Sequence, residues 1–213
     1  MIYADRSSAS AGFLRKTNMQ NNEVTIRRAV KEDAAQIARY FIYAWPVEEF
    51  FAMRPDLDMN ALETAVIEVV SMEGTSYSYE NSMVAVLGNK IKGAICGYDG
   101  AKCNDLKLRV RQVLADRFYD GDVEKVNWSE ETGAGEFYLD SIGVDPECRG
   151  MGIGTKLFAG LLDKARSEGH SKAGLLVDSI RPEAEKLYTR LGFRFVNYID
   201  FCGHQMKHMQ IEL

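Results

Sequence analysis

The stretch VDPECRGMGIGTKLFAGLL, from Val144 to Leu162, sets glycines at 150, 152 and 154 immediately ahead of an amphipathic run. A glycine forgoes side-chain packing and raises the entropy lost on folding, so a cluster marks a sharp turn or a backbone that another group approaches closely. Downstream, Leu157, Phe158, Leu161, Leu162 and Ala165 recur at helical spacing while Lys156, Asp163, Lys164 and Arg166 take the other face, and Gly169 offers a C-terminal stop. Upstream, EFYLDSIGV alternates Phe137 and Leu139 against Glu136, Tyr138 and Asp140, the period of a strand. The order strand, glycine turn, helix aims the unpaired first-turn N–H groups and the positive end of the helix dipole at one spot, a setting for phosphate.

Two familiar phosphate motifs do not fit that turn. The dinucleotide pattern G-x-G-x-x-G needs a further glycine where Thr155 or Leu157 stands, and a P-loop needs Gly-Lys-Ser/Thr where the chain reads Gly154-Thr155-Lys156. What fits is Arg149-x-x-Gly152-x-Gly154, which resembles the acyl-CoA signature of the GNAT N-acetyltransferase family. A second stretch, RPEAEKLYTRLGF from Arg181 to Phe193, is similar to that family's C-terminal helix, with Ala-x-x-Leu-Tyr and Gly-Phe in register. The resemblance runs from about Val24 to Val196 in motif order and is specific from Glu136 to Phe193. It implies an α/β fold of GNAT type: a mixed, mostly antiparallel central sheet flanked by helices.

The remaining chain is compatible with that order. Met1 to Asn22 is rich in Ser, Ala and Asn with little periodicity and reads as a flexible tail or a short leader helix, leaving 23–213 as one domain. VTIRRA predicts a first strand, and KEDAAQIARYFIYAW predicts a helix burying Ala34, Ile37, Ala38, Phe41 and Ile42. From Pro46 to Gly74 a helical pattern is interrupted at Pro55; its aromatics and Met53 read as core or as one wall of an acceptor pocket. Gly88-Asn89 splits two alternating runs, as in a hairpin. Residues 101–135 form an insertion with one helix predicted over Leu106 to Phe118 and an acidic connection through Trp128, a candidate lid or oligomer contact. A strand, the Pro182 helix and two final strands complete the chain.

With 213 residues and 46% hydrophobic content the chain can bury a core, and no apolar run is long enough to span a bilayer. Without a secretory hydrophobic segment, a cytoplasmic location and reduced thiols at Cys96, Cys103, Cys148 and Cys202 are expected. A net charge of −5 argues against nonspecific nucleic-acid binding and mildly favours a cationic acceptor. Cys148 borders the turn but lacks a pairing histidine pattern, so it reads as a bystander. His204 and His208 lack the intervening glutamate of a zinc hydrolase, and no metal is expected.

Carried onto matching positions, the resemblance implies acetyl-CoA as co-substrate. Its pyrophosphate would meet the N–H groups of Arg149, Gly150, Met151, Gly152, Ile153, Gly154 and Thr155, with Arg149 adding charge. The pantetheine arm would lie along Ile142, Gly143 and Val144, with the Ile142 N–H as oxyanion donor and Gly143 marking a bulge. Tyr188 matches the tyrosine that serves the leaving thiolate; considered alone it also reads as a core tyrosine between Leu187 and Leu191. The strand glutamate common in the family falls at Tyr138 here, which leaves Asp140 or Glu136, on one strand face, as candidate base. Arg181 stands where an asparagine commonly contacts the cofactor, and could reach a phosphate or cap its helix. The activity expected is direct transfer of acetyl to a primary amine, whether of a small molecule, an amino sugar or a protein. The alternative is a non-catalytic acyl-CoA-binding module. Homodimers are common in the family, making a second copy a candidate partner.

Overall fold

The computed structural model describes residues 23–45, 47–126, 130–201 and 203–213, without the side chains of 49, 50 and 53. The tail to Asn22, Phe50, Met53, Trp128 and Cys202, each given a reading from the sequence, therefore lie outside what is described. Alternating segments form β1 (Val24–Arg28), β2 (Ser82–Leu87), β3 (Lys90–Asp99), β4 (Phe137–Val144), β5 (Lys172–Asp178), β6 (Arg194–Phe201) and β7 (His204–Glu212). They make one seven-stranded sheet in the order β1-β2-β3-β4-β5-β7-β6. Every neighbouring pair is antiparallel except β4 and β5. Gly88, at φ 62°, turns the β2–β3 hairpin where Gly88-Asn89 predicts it.

Helices α1 (Ala34–Ile42), α2 (Val47–Met53), α3 (Met59–Ser71), α4 (Cys103–Phe118), α5 (Ile153–Ser167) and α6 (Pro182–Arg190) divide between the sheet's two faces. On one face, Leu157, Phe158, Leu161, Leu162 and Ala165 of α5 bury against Phe137, Leu139, Leu175, Val177, Phe193 and Met209. Each large side chain so buried contributes about 1.5–3 kcal/mol, enough to pin the helix whose first turn follows the glycines. On the other face α1 and α3 pack Ile37, Phe41, Leu62, Val66, Val69 and Val70 with Val110 and Val113 of α4. Helix α4 begins three residues before the expected Leu106, because the Asp99 carboxylate accepts from Ala101 N–H and starts the helical winding at the end of β3. Among the described residues no helix is long and apolar enough to cross a membrane.

Strand β4 departs from regularity in two places. It pairs with β5 only at Phe137↔Ala173 and Tyr138↔Gly174, so beyond Tyr138 the two parallel strands part. Its ladder with β3 shifts register between Cys96↔Ser141 and Gly97↔Leu139, which makes Asp140 the extra residue of a bulge. The bulge expected at Gly143 is therefore three residues earlier. Gly143 has a different reason to be glycine: a Cβ there would collide with the Tyr40 main-chain carbonyl, so the bare position lets α1 lie directly on β4.

Candidate active site

The parted strands open a cleft of about 630 Å³ between β4, the glycine turn and α6. Ladder alternation determines its β4 wall. Asp145 N–H donates to Lys92 C=O at 2.9 Å, so Gly143 and Ser141 also address β3, while the N–H and C=O groups of Ile142 and Val144 turn the opposite way, into the gap. The Lys92 ammonium, 2.7 Å from Asp145, fixes the strand's end and holds that carboxyl below its usual range.

The turn supplies the second wall. Gly150 and Gly152 adopt φ 79° and 74°, and Gly152 is the N-cap of α5 with no side chain capping it. Lys156 N–H, bonded to Gly152 C=O, is the first amide of the helix ladder, so those of Ile153, Gly154 and Thr155 face out of the helix end. Backbone conformation alone therefore demands two of the three glycines. Gly154 is different: its φ is not positive, and the nearest atom to a Cβ built there is Val144 Cγ2, at 4.0 Å. Among the described residues nothing requires that position to be bare. The bare position leaves open space against the helix N-terminus, and it is with this space that the phosphates of acetyl-CoA are compatible.

Ile142, Val144, Arg149, Gly150, Gly152, Ile153, Gly154, Thr155 and Tyr188 all line this cleft. Gly143, Met151 and Arg181 do not: Gly143 lies under α1, Met151 is exposed, and Arg181 is an exposed residue at the N-cap of α6. Phe158, Leu187 and Arg190 are lining residues that motif reading did not select. Their positions follow from the two helices converging on the gap, which spacing within either helix does not reveal. Cys148 also lines the cleft, with its side chain buried.

At its inner end the cleft shares Ile142, Phe158 and Tyr188 with a crevice of about 20 Å³ that Asp140 also lines. Tyr188 stands edge-on to Phe158 and Phe193, at centroid distances of 5.6 and 6.2 Å. No described protein group hydrogen-bonds its hydroxyl. Burial pushes the Tyr188 phenol up, and the Arg181 charge offsets part of that rise.

Asp140 is held from the opposite face. The Tyr98 hydroxyl donates to Asp140 Oδ2 at 2.7 Å and the Ser141 hydroxyl to Oδ1 at 3.1 Å, while Trp45 Nε1 donates to Ser141 Oγ at 3.1 Å. Glu136 shares that sheet face but borders another cleft. Its carboxylate accepts from Thr132 (2.6 Å) and Gln210 (2.7 Å) and meets His208 Nε2 at 2.9 Å. Burial alone would raise the Glu136 carboxyl, but these bonds outweigh it and hold it below its usual range. Two further buried groups, Lys107 and Glu131, join the Asp140 environment. Lys107 touches Glu131 and lies 3.9 Å from Asp140 Oδ2, and the Tyr138 hydroxyl donates to Glu131 at 2.7 Å.

The sequence profile of the acetyltransferase (GNAT) family matches residues 39–193. A mycothiol acetyltransferase from Stackebrandtia nassauensis is 31% identical over 105 residues, which is 44% of this chain and 34% of the relative, so the chain spans about a third of that protein's length. A solved acetyltransferase structure is 31% identical with a TM-score of 0.72, over 88% of this chain and 98% of the other. An N-acetyltransferase from Staphylococcus aureus Mu50 aligns with a TM-score of 0.73 at 23% identity, over 88% of this chain and 100% of its own, a likeness of fold.

Proposed function

The chain belongs to the acetyltransferase (GNAT) family, whose co-substrate is acetyl-CoA, and we propose that it moves the acetyl group directly onto a primary amine with Asp140 and Tyr188 as the proton-handling pair. The supporting observation is convergence: Asp140, Tyr188 and the outward main chain of Ile142 all border the small crevice at the inner end of the cleft. Acetyl-CoA supplies an activated thioester. Arg149 and the amides from Gly150 to Thr155 would hold its phosphates, and the free edge of Ile142 and Val144 would take its extended arm. Asp140 accepts a proton from the incoming ammonium, freeing the nitrogen lone pair for attack on the thioester carbonyl. The Ile142 N–H faces the charge that develops on the carbonyl oxygen. Tyr188, a neutral phenol at the crevice wall, gives its proton to the departing sulfur and is restored by the second proton that the nitrogen sheds as the amide forms. Glu136, the other candidate base, is committed to His208, Thr132 and Gln210 and serves the fold.

The test is CoA thiol release from acetyl-CoA across n-butylamine, putrescine, agmatine, glucosamine and a lysine-bearing tetrapeptide, for wild type, Asp140→Asn and Tyr188→Phe. Turnover lost in both variants with acetyl-CoA affinity retained is the expected result. If acetyl-CoA binds and no amine, including a wider peptide set, releases thiol, the chain is an acyl-CoA-binding module instead.

A further inference from the structure

Converting an ammonium and a thioester to an amide and a thiol releases one proton per turnover. If Asp140 receives that proton it must lose it again before the next cycle, yet its side chain is only 5% exposed. Its neighbours offer few ways out. Tyr98 from β3, Tyr77 ahead of β2, Tyr138 on β4 and Cys96 on β3 all face the cluster, and burial pushes each of these groups well up, so they stay protonated at neutral pH. The Cys103 thiol is likewise pushed up by burial.

Lys107, from the inserted α4, is the cation that reaches both buried carboxylates among the described residues. Its ammonium lies 3.9 Å from Asp140 Oδ2 and touches Glu131 Oε1, with side-chain exposures of 3% for Lys107 and 7% for Glu131. Tyr138 holds the other Glu131 oxygen. Glu131 is in turn part of the wall of a second cleft, of about 760 Å³, bordered also by Glu130, Glu136 and His208. That cleft shares no lining residue with the glycine-turn cleft or with the crevice. A chain of ionisable groups therefore runs from the reaction crevice to a separate opening.

We propose that Lys107 and Glu131 are a proton exit: the Lys107 ammonium passes a proton to the Glu131 carboxylate and is refilled by the proton on Asp140, and Glu131 then discharges into water of the second cleft. Charge balances at each step. Neutral Asp140, cationic Lys107 and anionic Glu131 become anionic Asp140, cationic Lys107 and neutral Glu131, and the released proton restores the start. The inference rests on Asp140 as the base. Lys107 and Glu131 are positioning and relay groups that need not touch substrate, and the inserted segment gains a role in turnover.

The experiment tracks CoA thiol formation and proton release together by stopped flow, in weak buffer with a pH indicator, using acetyl-CoA and whichever amine of the n-butylamine to tetrapeptide series turns over fastest. In wild type the two signals coincide. In Glu131→Gln, which keeps an acceptor for Tyr138, the first thiol still forms but the proton lags. Steady-state kcat falls tenfold or more, acetyl-CoA affinity stays within twofold, and added imidazole restores the rate. Lys107→Arg behaves alike, since a guanidinium keeps the charge but does not give up a proton. Coincident signals in both variants overturn the relay, as does a loss of kcat that shows no lag and no imidazole rescue. Asp140→Asn separates the two readings: if it is inactive while both relay variants match wild type, only the exit fails. If it is fully active, the base assignment fails as well.

Discussion

Gly154→Ala separates the demands of folding from those of the ligand. Gly154 is the second residue of α5, its φ suits any residue, and the added methyl meets Val144 Cγ2 at no less than ordinary contact distance. Replacing glycine by alanine in a helix gains up to about 1 kcal/mol. For a domain of this size that is a rise of roughly 2–4 °C in Tm, less in a first turn. The same methyl occupies cleft space in front of amides that would hold phosphate. Losing one charge-assisted hydrogen bond costs about 1.5–3 kcal/mol, so acetyl-CoA affinity should fall by about 10–150-fold. At ligand 100 times the wild-type Kd, wild type gains about 2.7 kcal/mol, or roughly 5–11 °C, whereas a variant binding 100-fold more weakly gains only ~0.4 kcal/mol. Calorimetric titration with acetyl-CoA and melts with and without ligand measure both quantities. Gly150→Ala and Gly152→Ala are the contrast, because side chains at φ 79° and 74° cost about 1–2 kcal/mol each and should lower the Tm without ligand. If Gly154→Ala binds acetyl-CoA within twofold of wild type, the bare helix end is not a phosphate cradle.

Tyr188→Phe should lower kcat by on the order of 10²-fold while leaving acetyl-CoA affinity unchanged, since it removes only a proton at the crevice; an unchanged kcat under rate-limiting chemistry would return Tyr188 to the core. Glu136→Gln should cost roughly 1–3 kcal/mol in denaturant unfolding at pH 7 with kcat little changed, because a buried acceptor of several bonds is weakened away from the crevice. As the folded Glu136 carboxyl lies below its unfolded value, its contribution is present above about pH 4.3 and fades as pH falls through the folded value. The variant should therefore show a shallower acid limb, and identical acid limbs would remove the assignment. Tyr77, Tyr98 and Tyr138 give the opposite sign: their phenols are pushed up on folding, so stability is full below about pH 10 and declines above it as the unfolded chain loses protons. Denaturant midpoints that hold level from pH 8 to pH 11 would contradict that burial.

Most of the architecture is legible in the sequence because its signals are local. The α5 stripe, the Gly88-Asn89 hairpin and the break near Pro55 each depend on a few consecutive residues, and each element lies where those residues put it. The Asp140 bulge is also written in the sequence: apolar positions run 137, 139 and then 142, 144, a change of phase that requires one extra residue between Leu139 and Ile142. The glycine at 143 is the louder signal and points to the wrong position. Lys107 and Glu131 leave no comparable trace. Lys107 sits in the polar run CNDLKLRVRQ, which reads as solvent-facing, and the two carboxylates it meets come from β4 and from the segment ahead of that strand. Likewise Glu136 finds His208 72 positions away, a contact made by strand order.

The phase change does more than displace one side chain. In an unbroken strand, Asp140 and Ser141 would point to opposite faces of the sheet. With the bulge, both turn toward the face covered by α1, α3 and α4, where Tyr98 and Trp45 hold them, while Ile142 resumes its place in the core beneath α5. The same shift leaves the main-chain groups of Ile142 facing the gap that opens once β5 departs. One inserted residue thus sets a carboxylate from the helix-covered face beside an outward amide, at the level where Tyr188 arrives from α6. Tyr188, Asp140 and the Ile142 main chain, the proposed acid, base and oxyanion donor, reach one crevice because a strand irregularity, a strand separation and a helix end coincide there.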